Sequence, residues 1–254
     1  MIYLIPPLCD ITVPLLGPYQ MAGFADSIGY SFEIHDLNIA FAKHIVKEAP
    51  RDAVQEKTPL NGLDSIEEQA VARFIAQCQN FKSYDDVLNG LRNCTSLKSY
   101  WHTMDYMRAC YDAYSLKFNN MRFKIDGFDT SYRWNIWNDS KQFISDAFNS
   151  ELLPLIQNWL DKISFPNKEI IGINITFDSQ YFFALLICAV LRKTRPDLRI
   201  VIGGGFVNSF IDSAESIGPL GRYCDTVCAD EGEALLWDLN ANQNDSNKLH
   251  SLGQ

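Results

Sequence analysis

Apolar and polar positions follow a regular order at both ends of the chain. Ile2 to Ile5 is a short β-branched run closed by Pro6-Pro7, which reads as a strand with an extended exit. From Pro14 to Ile28 the apolar residues Leu15, Leu16, Tyr19, Met21, Ala22 and Ala25 recur at helical spacing, and Gly29 marks the stop. Ser31 to Leu37 alternates through Phe32 and Ile34 and ends in Asp36-Leu37-Asn38, a second strand.

The rhythm returns late. Glu169 to Phe177 is a near-continuous apolar run, the pattern of a strand buried on both faces. Asp178 or Ser179 can cap the helix predicted over Gln180 to Thr194, which is apolar nearly all round and closes on Arg192, Lys193, Arg195 and Pro196. Arg199 to Ile202 is the next strand and runs into Gly203-Gly204-Gly205. A helix around Ser209 to Ser216, a strand around Thr226 to Ala229 and a helix from Glu233 to Leu239 follow. Strands alternating with helices predict an α/β fold: a Rossmann-like, doubly wound, five-stranded parallel sheet with a crevice at the carboxyl ends of its strands.

Between these ends the period changes. Ser65 to Phe81, Tyr84 to Leu97, Ser99 to Phe118 and Ser140 to Ile163 are long amphipathic stretches without strand-like alternation, so residues 40–165 read as a large helical insertion. Its aromatics, Tyr100, Trp101, Tyr106, Tyr111, Tyr114, Tyr132, Trp134 and Trp137 among them, fit a core of its own or a roof over a ligand. The sheet domain is then discontinuous, 1–39 with 166–239, and 240–254 is a polar tail expected to be disordered.

Composition narrows the function classes. With 47% hydrophobic residues the chain is of the soluble globular kind. The net charge of −9 and the lack of a basic stripe argue against nucleic acid. The longest apolar run, Tyr181 to Leu191, is too short to cross a bilayer, and no basic leader precedes Ile2, so no membrane association and a cytoplasmic location are expected. Seven scattered cysteines suit reduced thiols. Cys224 and Cys228 lack the further ligands that would complete a metal cluster, so no protein metal site is predicted.

The unusual backbone chemistry gathers where the strands' carboxyl ends are expected: Pro6 to Gly17, Asp36 to Asn38, Thr176 to Ser179, Gly203 to Phe206 and Asp230 to Glu233. Successive glycines after a strand let a bulky group approach the backbone, or serve a tight turn. The Gly-x-Gly-x-x-Gly fingerprint and the Walker loop are both missing.

These segments resemble the N-terminal cobalamin (vitamin B12)-binding domain of cobalamin-dependent radical S-adenosylmethionine enzymes, including peptide-modifying ones. The resemblance rests on Pro6-Pro7-Leu8 after the first strand, Asp36-Leu37-Asn38 after the second, Val201-Ile202-Gly203-Gly204 and Glu231-Gly232-Glu233, with Asn174-Ile175-Thr176 in the place of that fold's Ser-x-Leu. It implies cofactor-binding residues at Pro7, Leu8, Cys9, Asp10, Thr12, Gly17, Asp36, Asn38, Thr176, Phe177, Asp178, Ser179, Gly203, Gly204, Gly205, Phe206, Glu231, Gly232 and Glu233. The glycines would admit the nucleotide tail, and the loops at 7–12 and 176–179 would meet the corrin.

Two departures matter. Asp10-Ile11-Thr12-Val13-Pro14 carries no histidine, so cobalamin is expected base-off with no protein histidine to cobalt, and His35 reads as a structural residue. No Cys-x3-Cys-x2-Cys is present, so the iron-sulfur cluster that cleaves S-adenosylmethionine is not built on this chain. The resemblance therefore implies no catalytic residues and no catalysis by the chain alone. It implies a cobalamin module serving a methyltransferase-type reaction on a radical S-adenosylmethionine domain or subunit, fused or separate, with a peptide as a candidate substrate. The alternative is a cofactor-free Rossmann-like recognition partner of a peptide-modifying enzyme. A small enzyme with a nucleotide or flavin at the same crevice ranks below both, and the four histidines do not assemble the triad that a hydrolase requires.

Overall fold

The computed structural model describes residues 1–10, 15–55, 84–166, 169–209, 214–229 and 231–251. The chain divides into two compact units, one of Met1–Pro6, Val13–Leu37 and Tyr132–Gln254, the other of Pro7–Thr12 and Asn38–Ser131.

The first unit is the α/β sheet. Its strands are β1 (Ile2–Ile5), β2 (Glu33–Asp36), β5 (Ile170–Asn174), β6 (Arg199–Gly203) and β7 (Thr226–Val227), in the order β2-β1-β5-β6-β7. Every neighbouring pair is parallel, with Ile5 opposite Asp36, Tyr3 opposite Gly172 and Asn174 opposite Gly203. The fold class is thus Rossmann-like, as the alternating order predicts.

Helices α1 (Leu16–Ser27) and α9 (Gly232–Ser251) pack together on one face, burying Met21, Ala25, Leu236 and Leu239 with Met1 and Tyr30. Helix α7 (Tyr181–Thr194), whose residues Tyr181 to Leu191 are all buried, belongs by the right-handed crossover rule to the other face. It packs there against α5 (Trp137–Phe148), α6 (Leu152–Leu160) and the 3-10 segment Ala214–Arg222. An apolar circumference is what a helix sandwiched this way requires. Arg192 ends α7 by donating to the carbonyls of Tyr223 at 2.8 Å and Leu198 at 3.0 Å and pairing with Asp225.

Several sequence expectations change in detail. The stretch Ser140 to Ile163 is two helices, because the chain turns at Asn149-Ser150, where Ser150 Oγ accepts the Leu152 N–H at 3.2 Å. Residues 132–165 belong with the sheet rather than with the insertion: the Tyr132, Phe143 and Phe182 rings meet in one cluster, and Trp134 meets Tyr181 and Phe206. The helix expected over Ser209 to Ser216 falls in part outside the described residues; on either side of that gap stand a short α8 (Gly205–Asn208) and the 3-10 segment Ala214–Arg222, which kinks at Gly218 (φ 61°) just before Pro219. Where the polar tail was expected from Asn240, the backbone of α9 continues to Ser251.

The second unit holds α2 (Leu37–Gln55, from Asn38 onward), α3 (Tyr84–Arg92), α4 (Leu97–Ser115) and an antiparallel hairpin, β3 (Met121–Lys124) with β4 (Gly127–Thr130). The hairpin corrects the reading of an all-helical insertion. Met121 and Phe123 are buried while Arg122 and Lys124 are less so, a period of two, and a two-residue turn at Ile125-Asp126 joins Lys124 to its partner Gly127. Phe123 packs against Phe41, Tyr114, Phe118 and Phe128, so these aromatics form the unit's own core. Ser115 Oγ accepts the Phe123 N–H at 2.8 Å and donates to Tyr111 O at 2.7 Å, joining α4 to β3. The helix expected over 65–81 lies outside the described residues. Among the described residues no helix is long and apolar enough to cross a membrane.

Candidate functional site

In this strand order the connections leave β1 and β5 in opposite directions, and the carboxyl ends of such a strand pair bound the crevice of an open α/β sheet. Gln180 builds that point. Its side chain is wholly buried; Nε2 donates to Pro6 O at 2.9 Å, and Oε1 accepts the N–H groups of Thr176 at 2.9 Å and Phe177 at 3.2 Å. One amide thus satisfies three backbone groups that the strand ends leave open. Sequence reading treated Gln180 only as a helix start; the expected capping by Asp178 is local, its Oδ1 accepting the Ser179 N–H at 2.7 Å.

A cavity of about 190 Å³ opens on the face carrying α1 and α9. Its floor is the sheet: Tyr3 of β1, Ile173 and Asn174 of β5, Val201 and Gly203 of β6, with Cys228 after β7. Its cover is Gly17, Gln20 and Met21 at the start of α1 and Gly232, Glu233 and Leu235 at the start of α9. The Tyr3 ring fits because β5 has a glycine opposite it: a Cβ on Gly172 would lie 2.6 Å from Tyr3 Cδ2. Tyr3 Oη donates to Asn174 Oδ1 at 3.2 Å, and Asn174 Nδ2 donates to Thr176 Oγ1 at 2.8 Å. Burial first, then the neighbouring Cys228 and Glu233, pushes the Tyr3 phenol well above its ordinary value, so it stays protonated.

The three glycines have distinct reasons. Gly204 has φ 109°, and a Cβ there would lie 2.6 Å from Ile175 O and 2.7 Å from Asn174 Oδ1, so the turn after β6 needs glycine to pass the exit of β5. A Cβ on Gly203 would meet Cys228 O at 3.2 Å, and one on Gly205 would be in ordinary contact with Thr176 O at 3.5 Å. Packing of the protein on itself therefore accounts for Gly204, and the opening beside Gly203 is what remains for a ligand.

Of the sequence-predicted residues the cavity gathers Gly17, Gly203, Gly204, Glu231, Gly232 and Glu233. Asn174, ranked there below Thr176, is the buried one of the two and lines the cavity, while Thr176 stands behind it as a hydrogen-bond partner. Phe177 is 40% exposed beyond the strand end, Asp36 closes β2, and Phe206 packs on the Trp134 and Tyr181 rings. His35 lies in β2 with Nε2 2.8 Å from Glu33 Oε1. Thr12 lies outside the described residues.

Pro7, Leu8, Cys9 and Asp10 belong with Asn38 to the second unit. Asn38, only 3% exposed, accepts the Leu8 and Cys9 N–H groups at 2.9 and 3.3 Å through Oδ1 and donates through Nδ2 to Cys9 O at 3.0 Å. Two segments picked out separately in the sequence thus form one buried clamp.

Among the described residues no three His, Cys, Asp or Glu side chains come together as a metal site. Burial, then the charge of Asp225, pushes the Cys224 thiol up, the reverse of what a thiolate ligand needs. The chain matches no family model, no curated protein and no solved structure.

Proposed function

We propose that the chain is a cobalamin-binding module that serves a radical S-adenosylmethionine partner in the cytoplasm, in a methyltransferase-type reaction. The observation that carries this reading is the cavity between the sheet and its first and last helices, at the carboxyl ends of β5 and β6. An enclosed cavity of about 150 Å³ takes a benzene-sized ring, whereas drug-sized ligands fill about 300 to 1,000 Å³. A cavity of about 190 Å³ therefore fits the base of a nucleotide tail and excludes a macrocycle, which has to lie outside it, over the strand ends.

In this reading Tyr3, Asn174 and the backbone at Gly203 hold the tail, α1 and α9 cover it, and the half-exposed segment from Thr176 to Ser179 contacts the corrin. A cofactor whose tail base is held in the cavity would be bound base-off. The bound cofactor supplies the methyl-carrying cobalt chemistry, while the protein holds and shields it. Gln180 keeps the crevice open by fixing Pro6 against Thr176 and Phe177.

The test is anaerobic titration of the full chain with hydroxocobalamin and methylcobalamin, followed by gel filtration and a visible spectrum of the protein peak. A corrin that co-elutes with a base-off spectrum supports the module. No retained corrin at high-micromolar cofactor overturns it and leaves the cofactor-free recognition partner in its place.

A further inference from the structure

Donors and acceptors are unequally divided around the cavity. The buried pair in its floor spends the Tyr3 hydroxyl proton on Asn174 and one of the two Asn174 amide protons on Thr176. The phenolic oxygen and the second lone pair of Asn174 Oδ1 retain acceptor capacity. At the α9 side the wall adds the carboxylates of Glu231 and Glu233, and no Lys, Arg or His is among the described lining residues. The remaining polar side chains, Gln20 and Asn208, donate and accept equally, and the Cys228 thiol is a weak donor. The upward push that Glu233 exerts on the Tyr3 phenol places its negative field at that same oxygen.

The acceptors in such a wall gain nothing from a ring that has no N–H to offer, because a desolvated acceptor facing another acceptor stays unpaired. A dimethylbenzimidazole joined to its sugar has no N–H to donate and carries two methyl groups in a space only slightly larger than a benzene site. An aminopurine is also bicyclic, lacks those methyls and carries an amine.

We infer that the cavity between β1, β5, β6 and helices α1 and α9 selects an adenine-type base, one with an exocyclic amine, over dimethylbenzimidazole. This rests on the cobalamin reading only for what the base is attached to: in that reading the preferred cofactor is a corrinoid with adenine as its lower base.

The experiment is equilibrium dialysis of the full chain against two matched pairs of probes. One pair is adenosine and purine riboside, which differ by the amine alone; the other is the adenine-based and dimethylbenzimidazole-based corrinoids. The amine-bearing member of a pair is expected to bind at least roughly tenfold tighter, the change that one satisfied donor makes. Glu233→Ala, in the first turn of α9 and clear of the sheet hydrogen bonds, is expected to shrink that ratio while circular dichroism stays unchanged. Equal affinities within both pairs, preference for the amine-free members, or no binding by any probe overturns the inference. Corrinoids bound regardless of base would uphold the cobalamin reading and sink this one; nucleosides discriminated with no corrinoid bound would do the reverse.

Discussion

Asn38 holds Leu8 in a left-handed backbone conformation. Leu8 has φ 74°, the sole positive value at a non-glycine position among the described residues, and its N–H lies 2.9 Å from Asn38 Oδ1. That conformation costs an L-residue about 1–2 kcal/mol. Burial of the Leu8 side chain, 1% exposed, offsets it by about 1.5–3 kcal/mol.

Leu8→Ala gives up the buried side chain and keeps the strain, whereas Leu8→Gly gives up the side chain and releases the strain. Urea denaturation is therefore expected to show Leu8→Gly more stable than Leu8→Ala by about 1 kcal/mol, the reverse of the usual order. Asn38→Ala removes three buried hydrogen bonds to the backbone of Leu8 and Cys9 and is expected to cost about 2–3 kcal/mol. An Asn38→Ala variant as stable as the parent would remove the clamp from the account.

Adjacent glycines after β6 should respond oppositely to alanine. Gly204→Ala meets both a forbidden φ and a carbonyl oxygen 2.6 Å away, so a loss of about 3 kcal/mol or failure to fold is expected. Gly205→Ala has its nearest contact at 3.5 Å and opens the short α8, so neutrality or a gain below about 1 kcal/mol is expected. Thermal melts of the two variants decide it, and equal losses would contradict the assignment of Gly204 as the position of close approach.

Gln180→Leu keeps the volume of the buried side chain and removes its three hydrogen bonds to Pro6, Thr176 and Phe177. A loss of about 2–4 kcal/mol is expected. Hydrogen exchange should speed up at the Thr176 and Phe177 amides before it does in β6. Unchanged exchange at these amides would mean that the strand ends are held by something else.

Acid stability should depend on Asp225. Partial burial acts to raise its pKa, but hydrogen bonds from Arg192 and the Ile200 N–H, with the charges of Arg192 and Arg199, outweigh it and hold the carboxyl below its ordinary value. A carboxyl depressed in the folded state stabilises fully above the unfolded value, about 4, and that contribution is lost as the pH falls from there through the folded value. Asp225 is substantially exposed, so the effect is screened. The melting temperatures of the parent and Asp225→Asn should differ at neutral pH and converge in acid. A gap that persists below about pH 3 would rule out the ionised carboxylate as its source.

The chain's sequence determined the architecture of the sheet. Ile2–Ile5 coincides with β1, and the runs through Ile170–Asn174 and Arg199–Gly203 coincide with β5 and β6, because strands covered on both faces need continuous apolar side chains. Alternation of those strands with helices then implies the parallel arrangement. The hairpin at Met121–Thr130 was legible too, in the four alternating residues of β3, but it stands inside a long helical rhythm that masked it. Only the tertiary structure decided the site. Tyr3 meets Asn174 across 171 positions, Gln180 meets Pro6 across 174, and Asn38 meets Leu8 across 30. Local periodicity reports which face of an element is buried and carries no information about which distant backbone will pass it. The need for glycine at 204, for room at 172 and for an amide at 180 comes from those passing chains, so it exists only once they are packed.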